Sequence, residues 1–233
     1  RISRTLSNFT ITKNTRVLDI GAGPGTLSVP LSESAGFVTA IEPAEGMVEV
    51  LKERIRQKSI QNLEIIHKRW EYVSVEEDLK PPYDLIIASH SLGMPDIRTA
   101  IDKMQNVCSG EIWLFWFAGT TSWEKQMIKL WPEIHGTPYM TSPKSDVLFN
   151  VLYQMGIYPD IRFSDMEHAK KYNSIVEAIA EAREQLNCTD EFDSHIAGYL
   201  SQELKEQNGI FLQSGMTKGV SFTWNPGNNQ IRG

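Results

Sequence analysis

Short apolar runs alternate with amphipathic stretches along the first half of this chain, and this alternation constrains the fold more than any other feature. Five runs have the length of a strand and are nearly all apolar, as expected of strands buried on both faces of a parallel sheet. They are Arg16–Ile20, Phe37–Ile41, Leu63–His67, Tyr83–Ser89 and Glu111–Phe117. The stretches with helical periodicity are Thr26–Ser34, Ala44–Lys58 and Ile97–Val107. The alternation predicts an α/β protein in which helices cover both faces of the sheet.

The second half of the chain is less regular. Two further helices and a sixth strand are predicted over Thr121–Ile134, Ser142–Gln154 and Asp160–Phe163. The acidic stretch Met166–Asn208 is predicted to be helical, because its apolar residues recur at helical spacing. The tail Ile210–Trp224 is interrupted at Ser214-Gly215 and predicts a closing hairpin.

Charge and cysteine content narrow the functional classes. The formal net charge of −6 argues against a nucleic acid as the main partner, since phosphate binding requires clustered Lys and Arg. Cys108 and Cys188 are too few for a disulfide framework and favour a reducing compartment. No apolar run approaches the ~18–20 residues that cross a bilayer, and no signal peptide is visible. We therefore predict a cytoplasmic protein with no membrane partner.

The strongest functional signal is a glycine turn that directly follows the first apolar run. Its sequence is Asp19, Ile20, Gly21, Ala22, Gly23, Pro24, Gly25 and Thr26. Glycines allow a backbone to approach a ligand closely, and the helix start beyond them offers free N–H groups to an anionic group. The dinucleotide-binding pattern G-x-G-x-x-G is not matched, because Thr26 stands at the position of its third glycine.

The D-x-G-x-G-x-G form of this turn resembles motif I of the class I S-adenosylmethionine-dependent methyltransferases, and the resemblance extends over Arg16–Phe117. It implies a seven-stranded, mostly parallel, doubly wound sheet with an antiparallel last strand. It also implies an enzyme whose cofactor, S-adenosylmethionine, lies on the glycine turn. We expect a single methyltransferase domain over residues 1–233, with residues 166–208 as a helical insertion between strands six and seven. The implied cofactor contacts in the turn are Asp19, Gly21, Ala22, Gly23, Gly25 and Thr26.

Glu42 and Pro43 end the second apolar run. A carboxylate at this place can accept hydrogen bonds from both hydroxyls of a ribose, a group that S-adenosylmethionine and NAD share. Met47, in the following helix, occupies a position where the family often places an apolar residue against adenine. The alternative for Met47 is a core-facing methionine, in a stripe with Val50, Leu51 and Ile55.

Arg69 and Trp70 follow the third apolar run. By resemblance this loop lines the adenine pocket, where Trp70 offers a flat ring for stacking. The alternative is a tryptophan that covers the edge of the sheet. Arg69 stands where many relatives carry an acid that binds the adenine amino group, which leaves backbone contacts as the means of binding the base.

Ser89, His90 and Ser91 end the fourth run and are predicted to contact the methyl group or the methionine part of the cofactor. His90 is a candidate general base toward the acceptor. Its alternative role is a contact in the cofactor pocket. Asp96 is predicted to cap the next helix. The acidic residues that hold magnesium in catechol-type methyltransferases are missing, so no metal is predicted.

The acceptor is the least constrained part of the prediction. A small molecule is favoured, with RNA or protein as the second choice, and a non-catalytic cofactor-binding subunit is the rival outside the enzymes. Aromatic residues after the fifth run are candidates for an acceptor pocket or for packing of the extra helices. They are Trp116, Phe117, Trp123, Trp131 and Tyr139. The segment 166–208 is predicted to form a lid or acceptor wall. Its alternative role is a helical flank that packs on the outer face of the sheet or at a dimer contact.

Overall fold

The computed structural model describes residues 5–228 of the chain. Its strands are β1 (Arg16–Ile20), β2 (Phe37–Ile41), β3 (Leu63–Ile66), β4 (Tyr83–Ser89), β5 (Cys108–Phe117), β6 (Asp160–Tyr172), β7 (Leu204–Gln207) and β8 (Ile210–Trp224). Its α-helices are α1 (Ser28–Ser32), α2 (Glu45–Gln57), α3 (Ile97–Val107), α4 (Ser122–His135), α5 (Ser145–Gln154), α6 (Ile175–Leu186) and α7 (Asp193–Glu203). The bounds predicted for β1, β2, β4 and α3 are confirmed residue for residue.

The strands form a mixed sheet in the order β3-β2-β1-β4-β5-β8-β6, with β7 paired to β8. Strands β1 to β5 pair with one another in parallel, whereas β7 and β8 pair with each other antiparallel. The predicted α/β class with a mostly parallel sheet is confirmed. The described residues contain eight strands rather than the predicted seven, because the short strand β7 was not foreseen.

The strand order reverses direction at β1, which places the ligand-binding edge. The chain builds β2 and then β3 on one side of β1, and afterwards builds β4 and β5 on the other side. In doubly wound sheets, ligands bind at such a reversal, outside the carboxyl ends of the strands. The glycine turn after β1 and the residues after β2 and β4 all lie at these carboxyl ends.

The chain forms two compact units, and the first contains the described parts of residues 1–116, 146–162 and 220–233. Its central strands are buried on both faces: Leu18, Ile86 and Ile112 are fully inaccessible to solvent. Burial of each such side chain contributes about 1.5–3 kcal/mol, so the parallel strands provide a large part of the stabilising apolar burial in this unit.

Helix α2 packs on the sheet through a different stripe from the predicted one. Val48 and Leu51 are buried, and Ile55 packs against the same core. Met47 and Val50 are 46% and 45% exposed. The prediction that these two residues face the core is wrong, because the helix is rotated by about one residue relative to the expected stripe.

The second unit, Phe117–Ser145 with Phe163–Gly219, has a hydrophobic core of its own. Helices α4, α6 and α7 contribute to this core, together with Tyr172 at the end of β6. Its buried residues are Leu130, Tyr172, Ala178, Ala182, Leu186, Ile196 and Leu200. The second unit is therefore larger than the predicted insertion, since it also includes α4.

The helical prediction over Met166–Asn208 is wrong at both ends. Strand β6 continues through Tyr172, and β7 begins at Leu204, so that only α6 and α7 in the middle are helical. Nearly all side chains of β6 are exposed. Because apolar–polar alternation arises only where one face of a strand is buried, β6 beyond Phe163 carries no such pattern.

The hairpin predicted within Ile210–Trp224 is also wrong, since these residues form one strand. A side chain at Gly215 would collide with Ser122, so this glycine serves close packing rather than a turn. The hairpin lies earlier, where Asn208 and Gly209 connect β7 to β8 with φ angles of +52° and +76°. Asn-Gly is a favoured sequence for a two-residue turn with positive φ at both positions.

Two further expectations concern helix ends and membrane spans. The Asp96 side chain accepts a hydrogen bond from Thr99 N at 3.0 Å, which confirms Asp96 as the N-cap of α3. Within residues 5–228, none of the helices has both the length and the apolar character needed to cross a membrane.

Candidate functional site

The glycine turn is held against the end of β2 by backbone hydrogen bonds. Gly21 N and Ala22 N both donate to Ile41 O, at 2.8 and 2.9 Å. Gly21, Gly23 and Gly25 have φ angles of +73°, +56° and +79°, in the left-handed region that side chains disfavour. The chain therefore reverses direction between β1 and α1 only because glycine stands at these three alternate positions.

The three glycines have different surroundings. A side chain at Gly21 would collide with Ser91, and one at Gly25 would collide with Leu51. No atom lies within 4 Å of the place that a side chain of Gly23 would occupy. Gly21 and Gly25 are thus required for packing, whereas Gly23 presents its backbone to open space, as a ligand-binding turn must.

Asp19 lies beneath the turn and is almost completely buried. Its carboxylate accepts a hydrogen bond from Ser28 Oγ at 2.5 Å, which ties the end of β1 to the start of α1. Burial raises the pKa of the Asp19 carboxyl to about 6, hydrogen bonds from Ser28 partly offset this rise, and the charge of Glu42 adds to it. Asp19 thus holds the turn in place, and the cofactor contact predicted for it stays a prediction.

Replacing Asp19 with Asn is expected to change how stability depends on pH. The pKa of Asp19 is raised in the folded protein from 3.8 to about 6, so its favourable contribution is complete below pH 3.8 and is lost as the pH rises to about 6. An Asn oxygen can still accept the Ser28 hydrogen bond but never ionises. The free energy of unfolding of the variant, relative to wild type, should therefore rise by about 2.5 kcal/mol from pH 4 to pH 7. Urea denaturation of both proteins across this range measures the difference. If the free energies of unfolding of the two proteins changed equally with pH, the raised pKa of Asp19 would be contradicted.

Glu42 is buried at the carboxyl end of β2, with only 6% of its surface exposed. Its Oε2 accepts a hydrogen bond from Gly23 N at 2.7 Å, and its Oε1 accepts one from Ala44 N at 2.8 Å. Each carboxylate oxygen can accept a further hydrogen bond. The carboxylate is therefore fixed beside the open part of the turn and retains acceptor capacity for two hydroxyl donors.

Three predicted contacts near Glu42 are accessible. Thr26 and Pro43 are exposed, and Met47 lies in the first turn of α2 with 46% of its surface exposed. The alternative role of Met47 as a core residue is wrong, because Val48 occupies the core position. The adenine contact proposed for Met47 stays a prediction, and its accessible side chain is compatible with it.

The turn after β3 differs from the prediction. Trp70 is only 3% exposed, its Nε1 donates to Ala100 O at 3.1 Å, and the Lys103 ammonium lies 4.7 Å from the ring centroid. The prediction that the Trp70 ring stacks on adenine is wrong, since the ring has no accessible face. Arg69 is exposed at the start of the turn, so its contact with the cofactor stays a prediction.

The residues after β4 form a second strained turn. His90 has a φ angle of +60°, and its N–H donates to Phe115 O at 2.9 Å. Ser91 Oγ donates to Ile20 O at 2.5 Å, which fixes this turn to the end of β1. Ser89 Oγ and His90 Nδ1 are 3.1 Å apart and share a hydrogen bond. A positive φ in a non-glycine residue is costly and is often found at functional sites.

The structure thus brings three of the predicted segments to one edge of the sheet: the glycine turn, Glu42 and the turn at His90. These features suit an adenosine cofactor, because a buried carboxylate with spare acceptor capacity stands beside a glycine that faces open space. Within the described part of the chain, no group of three or more His, Cys, Asp and Glu side chains is arranged to hold a metal ion.

Comparison with known proteins agrees with this site. Residues 17–110 match a family model described as a methyltransferase domain, and they include the glycine turn, Glu42 and the turn at His90. An uncharacterised protein of Haemophilus influenzae is 25% identical over 213 residues, which cover 90% of this chain and 75% of that protein.

Solved structures of other proteins share the fold. The YcgJ protein of Bacillus subtilis aligns with a TM-score of 0.61 at 15% identity, covering 95% of this chain and 97% of that one. A precorrin-6y C5,15-methyltransferase of Geobacter metallireducens aligns with a TM-score of 0.54 at 15% identity, covering 96% and 86%. Residues 17–110 thus form a methyltransferase domain, whose glycine turn and sheet order agree with those of the class I S-adenosylmethionine-dependent methyltransferases.

Proposed function

We propose that this methyltransferase acts on a small-molecule acceptor, and one exposed aromatic group in the second unit carries the proposal. The Phe117 and Trp123 rings meet edge to face with centroids 5.1 Å apart, and the His168 ring lies 5.6 Å from that of Trp123. Trp123 keeps 42% of its surface exposed. Accessible aromatic rings bind planar and apolar parts of small ligands, with little loss of side-chain freedom.

The other aromatic residues predicted for the acceptor pocket divide between two roles. Trp131 packs against the core of the second unit, and its ring lies 5.5 Å from that of Tyr139. This pair therefore serves the alternative role, the packing of the extra helices. Trp116 stays a predicted pocket residue. The acceptor wall that we propose is thus built from Phe117, Trp123 and His168.

Charge also favours a small acceptor over a polynucleotide. The net charge is −6, and residues 166–208 contain nine acidic and four basic residues. Such a segment repels phosphate and attracts cations. We propose that it sets the choice of acceptor, which favours a neutral or cationic molecule. The predicted lid position of this segment, its alternative as a dimer contact and the cytoplasmic location stay predictions.

The proposed chemistry requires alignment more than a dedicated catalytic group. S-adenosylmethionine supplies a methyl group that its sulfonium has already activated. Glu42 would accept hydrogen bonds from the ribose hydroxyls, and Gly23 would allow the cofactor to approach the backbone. His90 would accept a proton from the acceptor where the acceptor must lose one. The contribution of the chain is the orientation of the two reactants and the exclusion of water.

The experiment that tests this function follows the methyl group. Purified protein is incubated with methyl-labelled S-adenosylmethionine and separate pools of small molecules, RNA and protein from a cell extract. We expect label only in the small-molecule pool, and less of it with Trp123→Ala. Label confined to RNA or protein would overturn the acceptor class. Binding of the cofactor without label in any pool would favour a non-catalytic subunit.

A further inference from the structure

Lys103 joins helix α3 to the turn that follows β3. Its ammonium donates to Trp70 O at 2.7 Å, to Val73 O at 3.0 Å and to Glu71 O at 3.3 Å. A lysine ammonium has three N–H donors, so these three carbonyls use all of them. Lys103 therefore binds the turn through its backbone, independently of the turn's side chains.

The Trp70 side chain adds two further contacts between the same elements. Its Nε1 donates to Ala100 O, one helical turn before Lys103, and its ring faces the Lys103 ammonium at 4.7 Å. On the other side of the turn, Asp78 pairs with Lys68 and accepts a hydrogen bond from Ser74 N at 2.8 Å. The turn is thus held by α3 on one side and by Asp78 on the other, and its contacts with α3 fix the conformation of its backbone.

The turn follows β3 at the same sheet edge as Glu42, since Glu42 N donates to Ile66 O at 3.1 Å. A base whose ribose Glu42 binds would therefore lie beside this turn, whose side chains leave contacts with the base edge to the backbone. The Trp70 ring is buried, and Arg69 can only donate hydrogen bonds, as can the amino group of adenine. Arg69 therefore cannot accept from that amino group, and the buried Trp70 ring cannot stack on the base. Discrimination of the base at this place requires peptide groups of Arg69–Val73, held in one conformation.

We propose that Lys103 is a positioning residue for the nucleobase of the methyl donor, because it holds the turn Arg69–Val73 in the conformation whose backbone distinguishes adenine. The inference rests on S-adenosylmethionine as the donor. Burial lowers the pKa of Lys103, while Glu71 and Asp78 oppose this shift with their negative charges.

The matched variants separate hydrogen bonding from packing. Lys103→Met keeps an unbranched chain against Trp70 but removes all three donors, whereas Lys103→Arg keeps a cation that can donate to several carbonyls. Lys129→Met is the control, since Lys129 is an exposed lysine on α4 that pairs with Glu133.

The probes are S-adenosylhomocysteine and its inosine counterpart, in which the donor and acceptor at the base edge are exchanged. Calorimetry on wild type should show a preference for the adenine compound. Lys103→Met should weaken its binding about three- to tenfold, the equivalent of a hydrogen bond worth about 0.5–1.5 kcal/mol. Binding of the inosine compound should change less, so that the preference falls, and Lys103→Arg should restore most of it.

A purely structural role predicts a different result. Lys103→Met would then lower the melting temperature and weaken both compounds equally, and this unchanged ratio would overturn the proposal. Equal binding of both compounds by wild type would overturn it as well, while leaving the donor assignment intact. Failure of wild type to bind S-adenosylhomocysteine would contradict the donor assignment itself.

Discussion

Replacing His90 with Asn is expected to lower turnover by roughly 10²–10⁴-fold, the range for loss of a general base. Asn is the appropriate replacement because His90 has a φ angle of +60°, which Asn tolerates better than Ala. Ser89 Oγ lies 3.1 Å from His90 Nδ1. If Nδ1 donates its proton to Ser89, the base is Nε2. Initial rates under saturating cofactor measure the loss, and affinity for S-adenosylhomocysteine should stay unchanged.

His90→Gly is the matched control for the strained backbone. Glycine removes the imidazole and also relieves the positive φ, so a general-base role predicts that it loses as much activity as His90→Asn. Wild-type turnover in His90→Gly would show that His90 only forms the turn. Equal losses of turnover and of cofactor affinity in both variants would assign His90 to the cofactor pocket.

The second large effect is expected at Glu42. Glu42→Ala should weaken S-adenosylmethionine binding by roughly 2–3 kcal/mol, the cost of removing a charged acceptor for two buried hydroxyls. The carboxylate also accepts hydrogen bonds from Gly23 N and Ala44 N, so the variant should additionally loosen the glycine turn. Titration calorimetry measures the affinity, and thermal unfolding identifies the folded fraction.

Glu45→Ala provides the control for this loss of charge, because Glu45 is an exposed glutamate in the first turn of α2. It should leave cofactor affinity within the error of the titration. A change below about half a kcal/mol for Glu42→Ala would mean that the carboxylate does not contact the ribose, since a hydrogen bond to a charged group contributes more.

The first five strands could be predicted because burial on both faces makes a parallel strand nearly continuous in apolar residues. Strand β6 beyond Phe163 could not, since its side chains are nearly all exposed and carry no alternation. The Ser214-Gly215 pair resembles a turn, but Gly215 is required there by the side chain of Ser122, a contact between residues far apart in sequence. Local sequence patterns give no information about such contacts.

The site was predictable where backbone chemistry dictates the residue type. The three glycines could be predicted because the turn requires positive φ angles. Glu42 could be predicted because it follows β2 directly, at the carboxyl end of the strand. The orientation of Trp70 was not predictable, because a stacking ring and a packed ring look the same in sequence. Ser28 and Lys103 were not foreseen at all, since each acts through a partner many residues away.

The central claim is that the glycine turn and Glu42 bind S-adenosylmethionine rather than a dinucleotide. Isothermal titration of the wild-type protein with S-adenosylmethionine, S-adenosylhomocysteine and NAD tests it most directly. The account predicts micromolar dissociation constants for the first two compounds and no measurable heat of binding for NAD. Binding of NAD without binding of S-adenosylmethionine would contradict it.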